Sequence, residues 1–125
     1  MAILLNEQEL HLVRQGKMQQ IILPLVPEPV KDVNNHWHWR DCEWLDNGIG
    51  FPASGVDDHA EFKVDETIDC GDFEIHILDI SVLQIQDLDL CSQGKHMWNK
   101  KWSQSQLQYH SDPWVFVYNI GVTLK

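Results

Sequence analysis

The sequence has no long hydrophobic run, and its 125 residues include only three cysteines. A membrane-spanning helix needs roughly 20 consecutive apolar residues, and no stretch approaches that length. The first residues, Met1 to Leu5, lack the basic region and the cleavage site of a signal peptide. Cys42, Cys70 and Cys91 form no CxxC pair and are odd in number, which favours free thiols over a disulfide framework. These absences predict a cytoplasmic chain that makes no use of a membrane.

The middle of the chain also has few basic residues. Residues 41–90 contain fourteen acidic residues and one basic residue, Lys63, whereas residues 91–125 contain four lysines and one acid. The formal net charge of the whole chain is -10. Nonspecific nucleic-acid binding needs cations on the phosphates, so this class of protein is disfavoured. The acidic middle is interpreted as a solvated surface that maintains solubility, or as a module that engages a basic host or phage partner.

Local patterns predict short helices and several strands within one domain, residues 1–125. Asn6 to Gln15 is predicted to be a helix that begins with a capping box and ends at Gly16. A second helix is predicted over residues 95–102, and Asp46-Asn47-Gly48 is predicted to form a hairpin or a tight loop. The predicted strands cover residues 18–26, 73–82 and 114–122. This mixture indicates an α+β domain whose sheet curls into a barrel.

The most informative segment lies near the C-terminal end. A helix carrying His96-Met-Trp-Asn-Lys-Lys-Trp102 is followed by a turn and by the aromatic strand Ser111-Asp-Pro-Trp-Val-Phe-Val-Tyr118. These two segments resemble the Leu-Trp helix and the closing Asn-Pro-Trp-Val-Trp-Val strand of phage and prophage ASCH domains. Leu12-Val-Arg-Gln-Gly-Lys17 resembles the first element of the same family. The resemblance implies the PUA-like superfamily fold, a small β-barrel with two or three short helices.

The resemblance also implies a barrel pocket for a nucleotide, a modified base or RNA. Some family members resemble amidohydrolases that act on acetylated cytidine, and their pocket uses the Lys and the second Thr of a Gly-Arg-Lys-Thr-x-Thr motif, with a Glu further on. Aligning Gly16 with the motif glycine places Lys17 at the Arg and Met18 at the Lys. Ile21 then stands at the second Thr. A one-residue gap returns Lys17 to the lysine place, but Gln20 then replaces the Thr. We therefore expect a binding domain without retained amidohydrolase activity, and rank a working amidohydrolase with a rearranged pocket last.

Four residues are the candidates for ligand binding. Lys17 or Arg40 would hold a phosphate, Trp37 would stack on a base, and Glu74 would accept a hydrogen bond from a base edge. Lys17 has an alternative interpretation as a cation that is favourable to the dipole of the first helix. Glu74 is instead a surface residue if its face of the strand meets water.

The segment His36-Trp-His-Trp-Arg-Asp-Cys42 has a metal-binding interpretation. Its two histidines and its cysteine would suit zinc if His59 or Cys70 completed the set. The chain has no second half with ligand spacing, so no metal site and no cofactor are predicted. The favoured interpretation is an edge strand that packs Trp37 and Trp39 inward. The same two residues are the better candidates if the tryptophans include an exposed stacking pair.

Overall fold

The structure is a computed structural model that describes residues 5–40, 60–88, 90–104 and 107–125. Within those ranges, two α-helices accompany six β-strands. In chain order the elements are α1 (Glu7–Arg14), β1 (Gln20–Pro24), β2 (Val30–Lys31), β3 (Trp37–His38), β4 (Thr67–Asp69), β5 (Phe73–Gln84), α2 (Ser92–Lys101) and β6 (Trp114–Leu124). Short 3-10 turns at Ile85–Asp87 and Tyr109–Ser111 follow β5 and precede β6.

Four of the strands form one antiparallel sheet in the order β1-β6-β5-β4. β6 is a central strand, and it pairs with β5 from Trp114 opposite Gln84 to Leu124 opposite Phe73. The sheet curls into half a barrel, while β2 and β3 form a separate two-stranded hairpin. The predicted α+β class and the curled sheet are therefore confirmed.

Both ends of α1 are capped by the residues that the sequence pattern indicated. Asn6 Oδ1 accepts the backbone N–H of Glu9 at 2.8 Å, and Glu9 Oε1 accepts the backbone N–H of Asn6 at 3.2 Å. Gly16 follows the helix with φ at 73°, a left-handed conformation that glycine adopts without strain. Val13 is fully buried and attaches the helix to the core. The predicted capping box and glycine terminus are confirmed.

The two faces of the sheet have separate cores. The larger core contains Val13 of α1 and alternate residues of β6, namely Trp114, Phe116, Tyr118 and Ile120. The smaller core lies on the opposite face, where Trp98 of α2 packs with Val115 and Val117. Burial of a valine or larger apolar side chain contributes roughly 1.5–3 kcal/mol, so this second cluster contributes to holding α2 on the sheet.

A bulge in β5 changes which residues face each core. An extra residue, Leu78, stands between the residues of β5 that pair with Ile120 and Asn119 of β6. Before the bulge, the odd-numbered residues of β5 point into the larger core. After it, the even-numbered residues Ile80 and Val82 pack against that core instead. The bulge thus keeps the apolar residues of both halves of β5 on one side of the sheet.

The predicted elements agree with the structure in type and differ mainly at their ends. The strand predicted over 73–82 extends to Gln84, and the helix predicted over 95–102 begins at Ser92. β1 is shorter than the predicted 18–26, because Pro24 has no N–H for a ladder and is its last residue. The turn predicted at 46–48 lies outside the described residues. In the described ranges, no helix has the length and apolar character to cross a membrane.

Candidate functional site

A cleft of about 760 Å³ lies between α1, α2 and the face of the sheet that carries the smaller core. Its walls include Lys17 from the turn after α1, Met97 from α2 and Leu78 from the bulge. Clefts of this size, with mostly apolar walls and a few polar groups, are typical of small-molecule sites. We refer to this cavity as the α2 cleft.

The C-terminal segment that carries the family resemblance fixes the position of α2. The Nε1 of Trp98 donates to the carbonyl of Leu107 at 2.6 Å, and the side chain itself is buried. Asn99 Oδ1 accepts the backbone N–H of Tyr109 at 2.7 Å. Both bonds connect the helix to the turn that leads into β6. α2 is therefore held as a fixed wall of the cleft.

A second connection joins α2 to α1 across the cleft. Lys101 Nζ lies 3.1 Å from Glu9 Oε1, and the two side chains are only 19% and 11% exposed. The same Glu9 oxygen accepts the N–H of Asn6 in the capping box. The charge of Lys101 is thus compensated by the carboxylate of Glu9. Lys17 is exposed, and its side chain has no ion pair or hydrogen bond with the part of the chain that the structure describes.

A chain of polar side chains crosses three strands on the cleft wall. Gln20 of β1 donates from Nε2 to Asn119 Oδ1 at 3.0 Å, and Asn119 donates from Nδ2 to Asp79 Oδ1 at 2.6 Å. Asn119 is the residue opposite both of the others in the sheet. These bonds leave Gln20 Oε1 and Asp79 Oδ2 without a hydrogen-bond donor among the described residues. We refer to the three side chains as the amide ladder.

Trp37 lines a different, smaller cavity of about 440 Å³. Its ring meets the ring of Trp114 edge-on at 6.0 Å between centroids, and Lys31 Nζ lies 5.0 Å from the Trp37 ring centre. Trp39 is only 3% exposed, donates from Nε1 to the carbonyl of Pro27, and packs against the larger core. Both rings thus pack against the larger core, as in the favoured interpretation of this segment, and they do not form the alternative exposed stacking pair.

Arg40 and Glu74 lie in neither cavity. The guanidinium of Arg40 donates to the carbonyl of Val26 at 2.5 Å and lies over the Trp39 ring at 5.1 Å. Glu74 is half-buried on the face of β5 opposite the larger core, with Oε1 4.0 Å from Lys125 Nζ. The structure therefore does not bring Lys17, Trp37, Arg40 and Glu74 together. Of these four candidates, only Lys17 lines the α2 cleft.

The described residues contain no group of three or more His, Cys, Asp and Glu side chains that could hold a metal ion. Cys42 and His59, which belong to the zinc interpretation, lie outside those residues. His38 Nε2 lies 2.6 Å from Asp32 Oδ2. Hydrogen bonds from the His36 backbone and from the His38 ring lower the pKa of the Asp32 carboxyl. The histidine thus has a carboxylate partner within its own hairpin.

Sequence reasoning missed the amide ladder. Asp79 interrupts the apolar alternation of β5 between Leu78 and Ile80. An interruption of this kind indicates a bulge, and it is visible in the sequence. Asn119 and Gln20 carried no comparable signal, because their proximity depends on the pairing of strands at opposite ends of the chain. No family model matches the chain, and comparison with curated proteins and with solved structures likewise finds no match.

Proposed function

We propose that the chain is a phage- or prophage-type ASCH-like domain that binds a nucleoside or a nucleotide in the α2 cleft without hydrolysing it. The observation that carries the proposal is that the amide ladder and Lys17, a cation with no partner among the described residues, lie on the walls of one cleft. The residues that resemble the family also support it, since Trp98 and Asn99 hold the wall formed by α2.

The chemistry of the walls suits the parts of a nucleotide. A nucleobase is planar and apolar on its faces, and Leu78 and Met97 offer apolar contact. Its edge needs hydrogen-bond partners, which the free oxygens of Gln20 and Asp79 supply. A phosphate needs a cation with mobile donors, which Lys17 supplies. The cleft walls thus carry a partner for the faces of the base, for its edge and for the phosphate of a nucleotide.

The absence of catalysis is supported by the side chains at the motif positions. Ile21, at the place of the second Thr, is 1% exposed and belongs to the larger core. Met18, at the place of the Lys, is partly buried against the same core. Gln20, the substitute in the gapped alignment, is engaged with Asn119. None of the three can accept and return a proton, as a general base must.

The experiment is a thermal-shift screen with nucleosides, modified cytidines, mononucleotides and short RNAs, followed by calorimetry of each hit. A ligand at 100 times its dissociation constant stabilises the folded state by about 2.7 kcal/mol. Lys17→Ala should weaken nucleotide binding by about tenfold, equivalent to 1.4 kcal/mol, and leave nucleoside binding unchanged. Lys100→Ala, an exposed lysine of α2 that does not line the cleft, is the matched control.

Two results would contradict the proposal. One is a screen in which no nucleoside, nucleotide or RNA stabilises the chain. The other is hydrolysis of a bound modified cytidine, which would restore the amidohydrolase alternative. After a negative screen, the next function to test is that of an acidic module that binds a basic protein partner. The test is a pull-down with the whole chain as bait, in which a basic peptide should compete with the partner and an acidic peptide should not.

A further inference from the structure

The bulge of β5 gives Asp79 its place in the α2 cleft. Phe73, Ile75 and Ile77 point into the larger core at alternate positions, and unbroken alternation would send residue 79 there as well. The extra residue, Leu78, instead sets Asp79 opposite Asn119 on the cleft face. Bulges occur next to functional sites because they re-aim a side chain. Here the result is an exposed carboxylate on the cleft wall.

The amide ladder fixes the orientation of that carboxylate. Asn119 donates to Asp79 Oδ1 at 2.6 Å, and Asn119 is itself held by Gln20 at 3.0 Å. One carboxylate oxygen is thus occupied, and Oδ2 is left for a ligand. A carboxylate accepts hydrogen bonds and donates none, and the remaining Gln20 oxygen is also an acceptor. This stretch of the cleft wall therefore requires a ligand edge made of donors.

We infer that the α2 cleft selects guanine through Asp79, an inference that rests on the proposed nucleotide binding. The guanine edge has two neighbouring donors, N1–H and the N2 amino group, which can bond to the free Oδ2 of Asp79 and to the second lone pair of its Oδ1. The corresponding edges of adenine and cytosine pair one donor group with an acceptor, and uracil has one donor between two acceptors. An acceptor that faces a fixed carboxylate is left unpaired and repelled, so the other three bases bind less tightly.

Calorimetric titration of the whole chain with GMP, IMP, AMP, CMP and UMP tests the inference. GMP should bind about tenfold or more tightly than AMP, CMP or UMP, since one charge-assisted bond supplies that factor. IMP has N1–H but no N2 amino group, and should fall between GMP and the others. This comparison uses the wild-type chain and does not depend on the folding of any variant.

Asp79→Asn then tests the residue itself. The variant keeps the shape of the side chain and an oxygen for Asn119, but it replaces the free acceptor with a donor. GMP affinity should fall about tenfold or more, and the difference between GMP and IMP should disappear. Asp87→Asn changes an exposed acid outside the cleft and should leave both affinities unchanged. Circular dichroism checks that both variants are folded.

The outcomes separate this inference from the proposed function. Equal affinities for the five nucleotides would overturn guanine selection and leave nucleotide binding in place. A guanine preference that survives in Asp79→Asn would remove Asp79 from the role of selecting residue. Binding of none of the nucleotides by the wild-type chain would overturn both proposals.

Discussion

At the scale of single residues, Tyr118 shows how a polar group is satisfied inside the larger core. The residue is fully buried, and its hydroxyl oxygen accepts the backbone N–H of Glu61 at 3.1 Å. Its ring meets the ring of Phe62 edge-on at 5.2 Å. Burial is the main cause that raises the pKa of Tyr118 to about 12. One side chain thereby joins the centre of the sheet to the segment at 61–62.

Tyr118→Phe should lower the free energy of unfolding by about 1 kcal/mol at pH 7, because the Glu61 N–H loses its acceptor. Because the pKa of Tyr118 is raised above the ordinary tyrosine value near 10, the contribution of its neutral hydroxyl to stability is fully present below pH 10. That contribution is lost as the pH rises through about 12. The stability difference between the two proteins should therefore narrow over this range. Urea denaturation at pH 7, 10 and 11.5 measures it.

Tyr109→Phe is the matched control for this prediction. Tyr109 is half-buried, and its hydroxyl makes no hydrogen bond with the described residues. The control should change stability by less than 0.5 kcal/mol at pH 7, as is usual for substitutions away from buried networks. An equal effect of both variants would show that the Tyr118 hydroxyl is not a structural contact.

The sequence alone named Lys17 as a candidate through the resemblance of residues 12–17 to the family motif, and the structure places Lys17 on the wall of the α2 cleft. The sequence was insufficient for Trp37 and Arg40, whose roles depend on the packing of the hairpin formed by β2 and β3. Arg40 uses its guanidinium on the Val26 carbonyl and on the face of Trp39. Contacts of this kind join residues 14 positions apart and leave no periodic signal.

At the scale of secondary-structure elements, α1 offers a direct test of its capping box. Asn6→Ala removes the acceptor for the Glu9 N–H, and an N-cap asparagine replaced by alanine costs about 1 kcal/mol. Gln8→Ala, at an exposed position of the same helix, is the control and should be neutral or slightly stabilising. Thermal unfolding of the three proteins measures the difference, and equal melting temperatures would contradict the assigned cap.

The bulge of β5 makes a second prediction at this scale. Deleting Leu78 removes the extra residue, so Asp79 still pairs with Asn119 and every later residue of β5 keeps its face. Deleting Ser81 instead removes a regular position, and the strand must then turn either Asp79 or Val82 to the wrong side. The first deletion should leave a folded protein, and the second should destabilise it by several kcal/mol, because a charge becomes buried or core residues become exposed.

Circular dichroism and urea denaturation compare the two deletions in the same buffer. Because both remove one residue from the same strand, chain length is not a variable. If deletion of Leu78 were as damaging as deletion of Ser81, the bulge would not lie at residue 78. The opposite order would require a different register between β5 and β6.

Most of the elements were predictable because their signals are local. α1 has a cap and a terminal glycine, and the apolar alternation of β5 is visible in the sequence on both sides of the bulge. The order of the strands was not predictable in the same way. β1 and β6 lie near opposite ends of the sequence, yet they pair from Gln20 opposite Asn119 to Pro24 opposite Val115. No local pattern in β1 specifies that partner.

At the scale of the whole molecule, the net charge of -10 limits the size of the nucleotide ligand that the proposed function can use. Each further phosphate on a ligand is repelled by the chain, while Lys17 can neutralise only one. A tetranucleotide should therefore bind no more tightly than the mononucleotide at 50 mM salt, and its affinity should rise when salt screens the repulsion. Titrations at 50 and 300 mM salt measure this dependence.

A steep fall of tetranucleotide affinity with salt would contradict this expectation. Such a fall is typical of proteins that bind nucleic acids through several cations on the phosphates. The mononucleotide, measured at the same two salt concentrations, is the control for effects on the base contacts alone. A response confined to the tetranucleotide would isolate the contribution of the additional phosphates.

The position of β6 determines when the domain can fold during synthesis. In the sheet, β6 lies between β1 and β5, which do not pair with each other. Asn119 of β6 is 99 residues from its partner Gln20 of β1. Until residues 114–124 have left the ribosome, the two earlier strands have no template to join, and their apolar residues stay available to chaperones. Closing so long a loop is also slow. The α2 cleft is thus among the last parts of the domain to form, because Asn119 and Ile120 of β6 belong to its wall.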